Sequence, residues 1–195
     1  MTETHTAPVV GPATVRPRRA RWIAIGVGVF VMVLGVVFAL TIGTDPTAAD
    51  RQNALLGQPA PRFDLPTLDG MRVSLPALEG TAVIVNFWNS WCVPCRLELP
   101  ALQAFYARHA QDRDFAMVGI VRSDTRSAVR SYVKQEQMHW IIAFDPGSAA
   151  ALSFATRGQP ETFAITPDGQ IVGFQWGPST VQGLESMLAA ARGQR

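Results

Sequence analysis

Cysteine is nearly absent from this chain: the 195 residues include only two. Two cysteines exclude a multi-bridge disulfide framework. They also leave a structural zinc site short of ligands, because the three His, at positions 5, 109 and 139, lie far from them in sequence. Charge is scarce too. Only 16% of residues are charged and the formal net charge is +2, which gives no broad basic surface for nucleic acid. The small excess is local: residues 1–21 hold Arg16, Arg18, Arg19 and Arg21 against the single Glu3. Disorder is excluded as well, since 48% of the residues are hydrophobic. No internal repeat is present.

The basic arm runs straight into an uncharged apolar run of 21 residues, Trp22 to Ile42. As a helix it would reach about 31 Å, enough to cross a hydrocarbon core. Arginines before such a run stay in the cytoplasm, and a Trp at its edge suits the interface. The run therefore predicts one N-terminal transmembrane helix, with residues 1–21 cytoplasmic and the rest extracytoplasmic. The alternative is a cleaved signal peptide, and Thr47-Ala48-Ala49 offers a small-residue cleavage site. Signal-peptide apolar regions span about 7–15 residues, so length favours an uncleaved anchor in the cell membrane. Residues 43–54 are small and polar and form a tether. The folded domain is expected over 55–195.

Within it, Phe63–Leu65 and Arg72–Leu75 are short strands around the turn signal Leu68-Asp69-Gly70. Ala82–Trp88 and Phe115–Val121 are apolar, β-branched runs of the kind covered on both faces of a sheet. A helix is expected over about 93–109. Another, capped by Asp124 or Thr125, carries Ala128, Val129, Tyr132 and Val133. Trp140–Phe144 is a further strand, followed by a short helix near 148–155. Thr162–Thr166 and Gln170–Phe174 form a hairpin around Pro167-Asp168-Gly169. Ser179 and Gln182 offer a capping box for a last helix along Val181, Leu184, Met187 and Leu188. The sum is an α/β domain: one mixed sheet with helices on both faces and an N-terminal hairpin extension. Trp140, Trp176, Phe144, Phe154 and Phe174 are expected in the core, and His109 and His139 on the surface.

Both cysteines sit in Trp91-Cys92-Val93-Pro94-Cys95, after a buried strand and at a helix start. Helix N-terminal amides and the helix dipole stabilise a thiolate there. Cys92 is the expected nucleophile. Cys95, at i+3, lies near the same face and can resolve a mixed disulfide. Pro94 occupies a first-turn position that needs no amide and stiffens the approach. A purely structural disulfide would close a very short loop, where the entropic gain is least. Half a metal site would need a second pair of ligands, which is absent. No metal and no cofactor is expected beyond a redox-active Cys92–Cys95 disulfide.

At this point the sequence resembles the thioredoxin superfamily, and within it the membrane-anchored TlpA/ResA/CcmG (DsbE)-like thiol–disulfide oxidoreductases. The likeness spans about residues 55–190. It rests on Leu56-Gly-Gln-Pro-Ala-Pro-Arg-Phe63, Leu68-Asp-Gly70, Val85 through Glu98 with Pro100, and Gly158-Gln-Pro-Glu-Thr-Phe163 with Asp168-Gly169. The resemblance implies a thioredoxin-like fold with Pro160 as a cis-proline facing the cysteines. It also implies a helix kink at Pro100. Where cytoplasmic thioredoxins carry a buried Asp six residues before the first cysteine, this chain has Asn86. Glu98 fills a position often acidic in the TlpA-like branch. It could raise a cysteine pKa and take up a proton during exchange; the alternative is a solvent-facing Glu paired with Arg96 or Arg108. Gln159 replaces a residue more often small or β-branched and bears on substrate preference. Trp91 and Glu161 are expected to border the substrate groove, and Trp88 to pack.

The function these features imply is dithiol–disulfide exchange by a membrane-tethered protein disulfide reductase. The resemblance implies protein thiol or disulfide substrates such as apocytochrome c in cytochrome c maturation. It implies electrons from a membrane thiol-transporting reductase. A peroxiredoxin-like peroxidase shares the Gly-Gln-Pro-Ala-Pro-Arg-Phe type of lead-in, but its Pro-x-x-x-Thr-x-x-Cys pattern is absent. A non-enzymatic membrane-tethered binding module is the other alternative.

Overall fold

A computed structural model of the chain describes residues 18–41 and 55–193. The basic arm before residue 18 and the tether at 43–54 lie outside the described residues. The first unit contains helix α1, Arg18–Thr41. Its described side chains, Trp22 among them, are exposed. Among the described residues no helix is long and apolar enough to cross a membrane. Not every side chain between Trp22 and Ile42 is described, so the anchor remains a reading of the sequence.

The second unit begins with a two-stranded antiparallel hairpin, β1 (Asp64–Pro66) and β2 (Arg72–Ser74). Next come β3 (Ala82–Trp88), α2 (Val93–His109), β4 (Phe115–Val121), α3 (Arg126–Gln135) and β5 (Ile141–Phe144). Then follow α4 (Ala149–Ser153), β6 (Glu161–Ile165), β7 (Ile171–Trp176) and α5 (Val181–Ala191). The five-stranded sheet has the order β5-β4-β3-β6-β7. β3, β4 and β5 are parallel, while β6 runs antiparallel to β3 and β7 to β6.

β3 lies at the centre because its sequence is apolar on both faces, and all seven of its residues are buried. Successive side chains point to opposite sides of a strand. Ala82, Ile84 and Trp88 accordingly pack with Leu99, Leu102 and Phe105 of α2, Val129 of α3 and Leu184 and Leu188 of α5. Val83, Val85 and Phe87 pack with Ala150, Ala151 and Phe154 and with the hairpin residues Phe63, Leu65 and Val73. Three helices thus cover one face; the short α4 and the hairpin cover the other.

One local expectation, the cap of the last helix, differs from the structure. α5 is capped by Thr180, whose hydroxyl accepts the Gly183 amide, and not by Ser179. Ser179 is buried, and its amide is turned to a different acceptor, described below. Of the two candidate caps for α3, Thr125 serves, through the Ala128 amide.

Gly119 on β4 explains a close contact between two large side chains. A Cβ there would stand 2.8 Å from Trp88 Nε1 and 3.1 Å from Trp140 Nε1. Both indoles are buried, so neither ring has room to retreat. Gly119→Ala is expected to destabilise the domain by about 1–3 kcal/mol through overpacking. Urea unfolding of the two proteins would measure this; an unchanged midpoint would contradict it.

Candidate active site

The end of the sheet where β3 leads into α2 gathers the residues singled out from the sequence. Cys92 is the N-cap of α2, and its Sγ accepts the Cys95 amide at 3.2 Å. Cys92 and Cys95 form a disulfide with Cα atoms 5.3 Å apart. Pro94 lies in the first turn of α2, where its missing N–H costs nothing. Both sulfurs are buried, while Trp91 and Val93 beside them are exposed.

The segment before β6 reaches across to this pair. The Gln159–Pro160 peptide bond is cis, and the Gln159 carbonyl oxygen lies 3.8 Å from Cys92 Sγ. Pro160 and Gln159 therefore form the wall opposite the α2 N-terminus. Glu161, expected at the border of the groove, is instead 2% exposed. It opens β6, whose residues are all buried, and its Oε1 accepts the amides of Arg157 at 2.8 Å and Gly158 at 3.0 Å. Burial pushes its carboxyl pKa up, against those hydrogen bonds. Its contact is with the loop that carries Gln159, not with the groove.

Glu98 lies one turn past Cys95 and is 1% exposed, which sets aside a solvent-facing pairing with Arg96 or Arg108. Its Oε1 accepts from Asn86 Nδ2 at 2.9 Å and its Oε2 from the Ser179 amide at 2.9 Å. Asn86 Nδ2 also donates to Thr162 Oγ1 at 3.0 Å. Every donor to Glu98 is neutral, so desolvation wins: burial raises the pKa to about 7, and the hydrogen bonds from Ser179 and Asn86 offset it only in part. Glu98, with no cation among its hydrogen-bond donors, thus titrates near neutral pH.

The loop before Cys92 is fixed by a set of contacts that the sequence did not announce. Ser90 donates both its amide and its hydroxyl to Asp124 Oδ2 at 2.7 Å. The Ser90 carbonyl accepts from Arg96 Nε at 2.9 Å and Nη2 at 2.7 Å. Trp91 Nε1 donates to the Ser123 carbonyl at 2.8 Å. Asn89 Oδ1 accepts the Arg122 amide at 3.3 Å. Every partner except Arg96 comes from the end of β4, more than thirty positions away, so no local spacing marked it. His109 is another departure: it is half-buried, with Nδ1 2.8 Å from Asp112 and Nε2 2.8 Å from Glu185. Trp88 packs as expected, its ring centroid 5.7 Å from that of Tyr132. Among the described residues no cluster of His, Cys, Asp and Glu could hold a metal ion.

Residues 56–174 match the model of the AhpC/TSA family. The thiol-disulfide oxidoreductase ResA of Bacillus cereus is 30% identical over 140 residues, which cover 72% of this chain and 80% of ResA. A thiol:disulfide interchange protein of the thioredoxin family from Chlorobium tepidum superposes with a TM-score of 0.63 at 29% identity, covering 69% of this chain and 96% of that one. StoA of Bacillus subtilis superposes with a TM-score of 0.58 at 27% identity, covering 66% and 96%.

Glu98 gives the site a pH signature. Its pKa rises from 4.5 to about 7 on folding. Between those values the native state holds a proton that the unfolded state releases, so stability falls as pH rises through this window. The contribution is ~3 kcal/mol at most. Glu98→Gln is expected to flatten this part of the stability profile relative to the unmutated protein. Denaturant unfolding from pH 4 to 8 tests this; parallel profiles would place the ionisation of Glu98 in the ordinary carboxyl range.

Proposed function

The chain belongs to the AhpC/TSA family and is a ResA-like thiol–disulfide oxidoreductase of thioredoxin fold, and on that premise we propose that it acts as a membrane-tethered, extracytoplasmic reductase of protein disulfides. The observation that carries the catalytic part is the Cys92–Cys95 disulfide at the α2 N-terminus, with Cys92 Sγ against the carbonyl that precedes Pro160. The tether is supported by the uncharged run Trp22 to Ile42 behind four arginines.

In the reduced protein, the Cys92 thiolate attacks one sulfur of a partner disulfide. That S–S bond breaks, a mixed disulfide forms on Cys92, and the second partner sulfur leaves as a thiolate that takes a proton. Cys95, as thiolate, then attacks the Cys92 sulfur, closes the disulfide and releases the first partner sulfur. Two electrons pass to the partner. The helix N-terminus stabilises the Cys92 thiolate. Glu98, one turn past Cys95, handles the Cys95 proton: its pKa near neutrality suits a group that both accepts and returns one. Trp91, Pro94 and Gln159 form the surface a partner meets first, the buried Pro160 backs Gln159, and Glu161 holds the Gln159 loop.

The substrate class that goes with this reading is an apocytochrome c, whose haem-attachment thiols need reduction before ligation. Return of the enzyme to the dithiol form then draws electrons from a membrane thiol-transporting reductase. A peroxidase reading finds no support at the cysteines, which are paired within one helical turn and lack the Pro-x-x-x-Thr-x-x-Cys setting.

Cys95→Ser is expected to accumulate mixed disulfides through Cys92 in cells, whereas Cys92→Ser accumulates few; diagonal gel electrophoresis with mass spectrometry reads both. Trapping through Cys95 alone would reverse the assignment. Protease added to intact spheroplasts is expected to remove the domain, and full protection would overturn the topology.

A further inference from the structure

Trp176 was expected in the core, yet it is 60% exposed. Within residues 55–193 the other Trp residues are Trp88 and Trp140, both buried, and Trp91, 55% exposed. The two exposed indoles stand at the same end of the sheet. Trp91 directly precedes Cys92 and is pinned by its bond to the Ser123 carbonyl. Trp176 ends β7 opposite Glu161, and the next amide, of Gly177, donates to the Pro160 carbonyl at 3.0 Å. One indole is thus tied to the cysteine side of the site and the other to the proline side. Val93 and Leu97, at i and i+4 on α2, continue the apolar surface at 66% and 73% exposure.

Isolated exposed apolar residues mean little, but a set ringing a buried reactive sulfur marks a contact surface. Trp is the residue type most enriched among those that dominate binding energy. A mixed disulfide on Cys92 forms beside Trp91 and against the proline loop to which the end of β7 is bonded, so the patch adjoins the exchange site. We propose that Trp176 is a specificity-determining residue: it receives a large apolar side chain of the partner polypeptide close to its reacting cysteine. The occupant is an extended protein segment, because β6 lies between β3, which leads to Cys92, and β7, so the contact spans two strand spacings, about 10 Å, beyond the reacting cysteine itself. This inference rests on exchange at Cys92.

The test compares Trp176→Ala, Trp176→Phe and the unmutated full-length chain, each reduced and held in detergent micelles. Three disulfides are offered: a cyclic peptide with Leu and Phe beside its cysteines, the same peptide with Ser and Gly there, and oxidised glutathione. Rates are read by acid quenching and mass spectrometry. The unmutated chain is expected to prefer the apolar peptide over the polar one by about tenfold, and Trp176→Ala to lose most of that preference. Trp176→Phe keeps an aromatic ring and is expected to retain it. Equal losses on all three disulfides would mean a structural role, and an unchanged preference would mean no contact; either overturns the proposal. Failure of the unmutated chain on all three, glutathione included, would instead remove the exchange reading and the proposal with it.

Discussion

A carboxyl group buried without a cation one turn past a disulfide is the constraint on which the rest of this site depends. Removing a carboxylate from water is costly, and neutral donors repay only part of that cost. Glu98 has two such donors, Asn86 from the central strand and the Ser179 amide from the segment before α5. They join β3, α2 and the approach to α5 at one point, and Thr162 adds β6 through Asn86. The bonds that hold the helices against the sheet favour the ionised carboxylate, and burial outweighs them to raise its pKa to about 7. Asn86 completes the arrangement by donating where an acid would compete for the same proton.

The cysteines are placed by a different set of forces. α2 needs an N-cap, and Cys92 serves through the sulfur that accepts the Cys95 amide. The preceding loop cannot wander, because the amide, hydroxyl and carbonyl of Ser90 are all bound. A reactive group held this way loses little freedom when a partner arrives, which favours reaction over reorganisation. Across the gap, Glu161 fixes the other wall through the amides of Arg157 and Gly158. Two buried carboxylates thus serve the two walls, Glu98 beneath the cysteines and Glu161 behind the proline loop.

Much of this was legible in the chain itself. Ala82–Trp88 reads as a strand buried on both faces because every residue in it except Asn86 is apolar, and it is the centre of the sheet. Cys92 and Cys95 were marked by spacing and by the strand-to-helix junction. The less legible features depend on distant partners. Asp124 and Thr125 were equal candidates for the α3 cap, since nothing local says that Ser90 will claim the Asp124 carboxylate. Ser179 looked like a cap for α5, but Thr180 is one residue better placed and frees the Ser179 amide for Glu98. Trp176 looked like core on composition alone; it lies at the end of an edge strand, where the short α4 and the hairpin leave it uncovered. Glu161 looked like a groove residue, but it opens β6, an interior strand buried on both faces.

The central claim is that Glu98 titrates near neutral pH beside the exchange pair. Carbon-13 NMR of the Glu-labelled protein, with Glu98→Gln to assign the signal, follows that carboxyl directly through its titration. In the oxidised protein the midpoint is expected near 7. Reduction to the dithiolate-forming state is expected to move it higher, because a nearby thiolate disfavours a second negative charge. A midpoint in the ordinary carboxyl range, unmoved by reduction, would contradict the account.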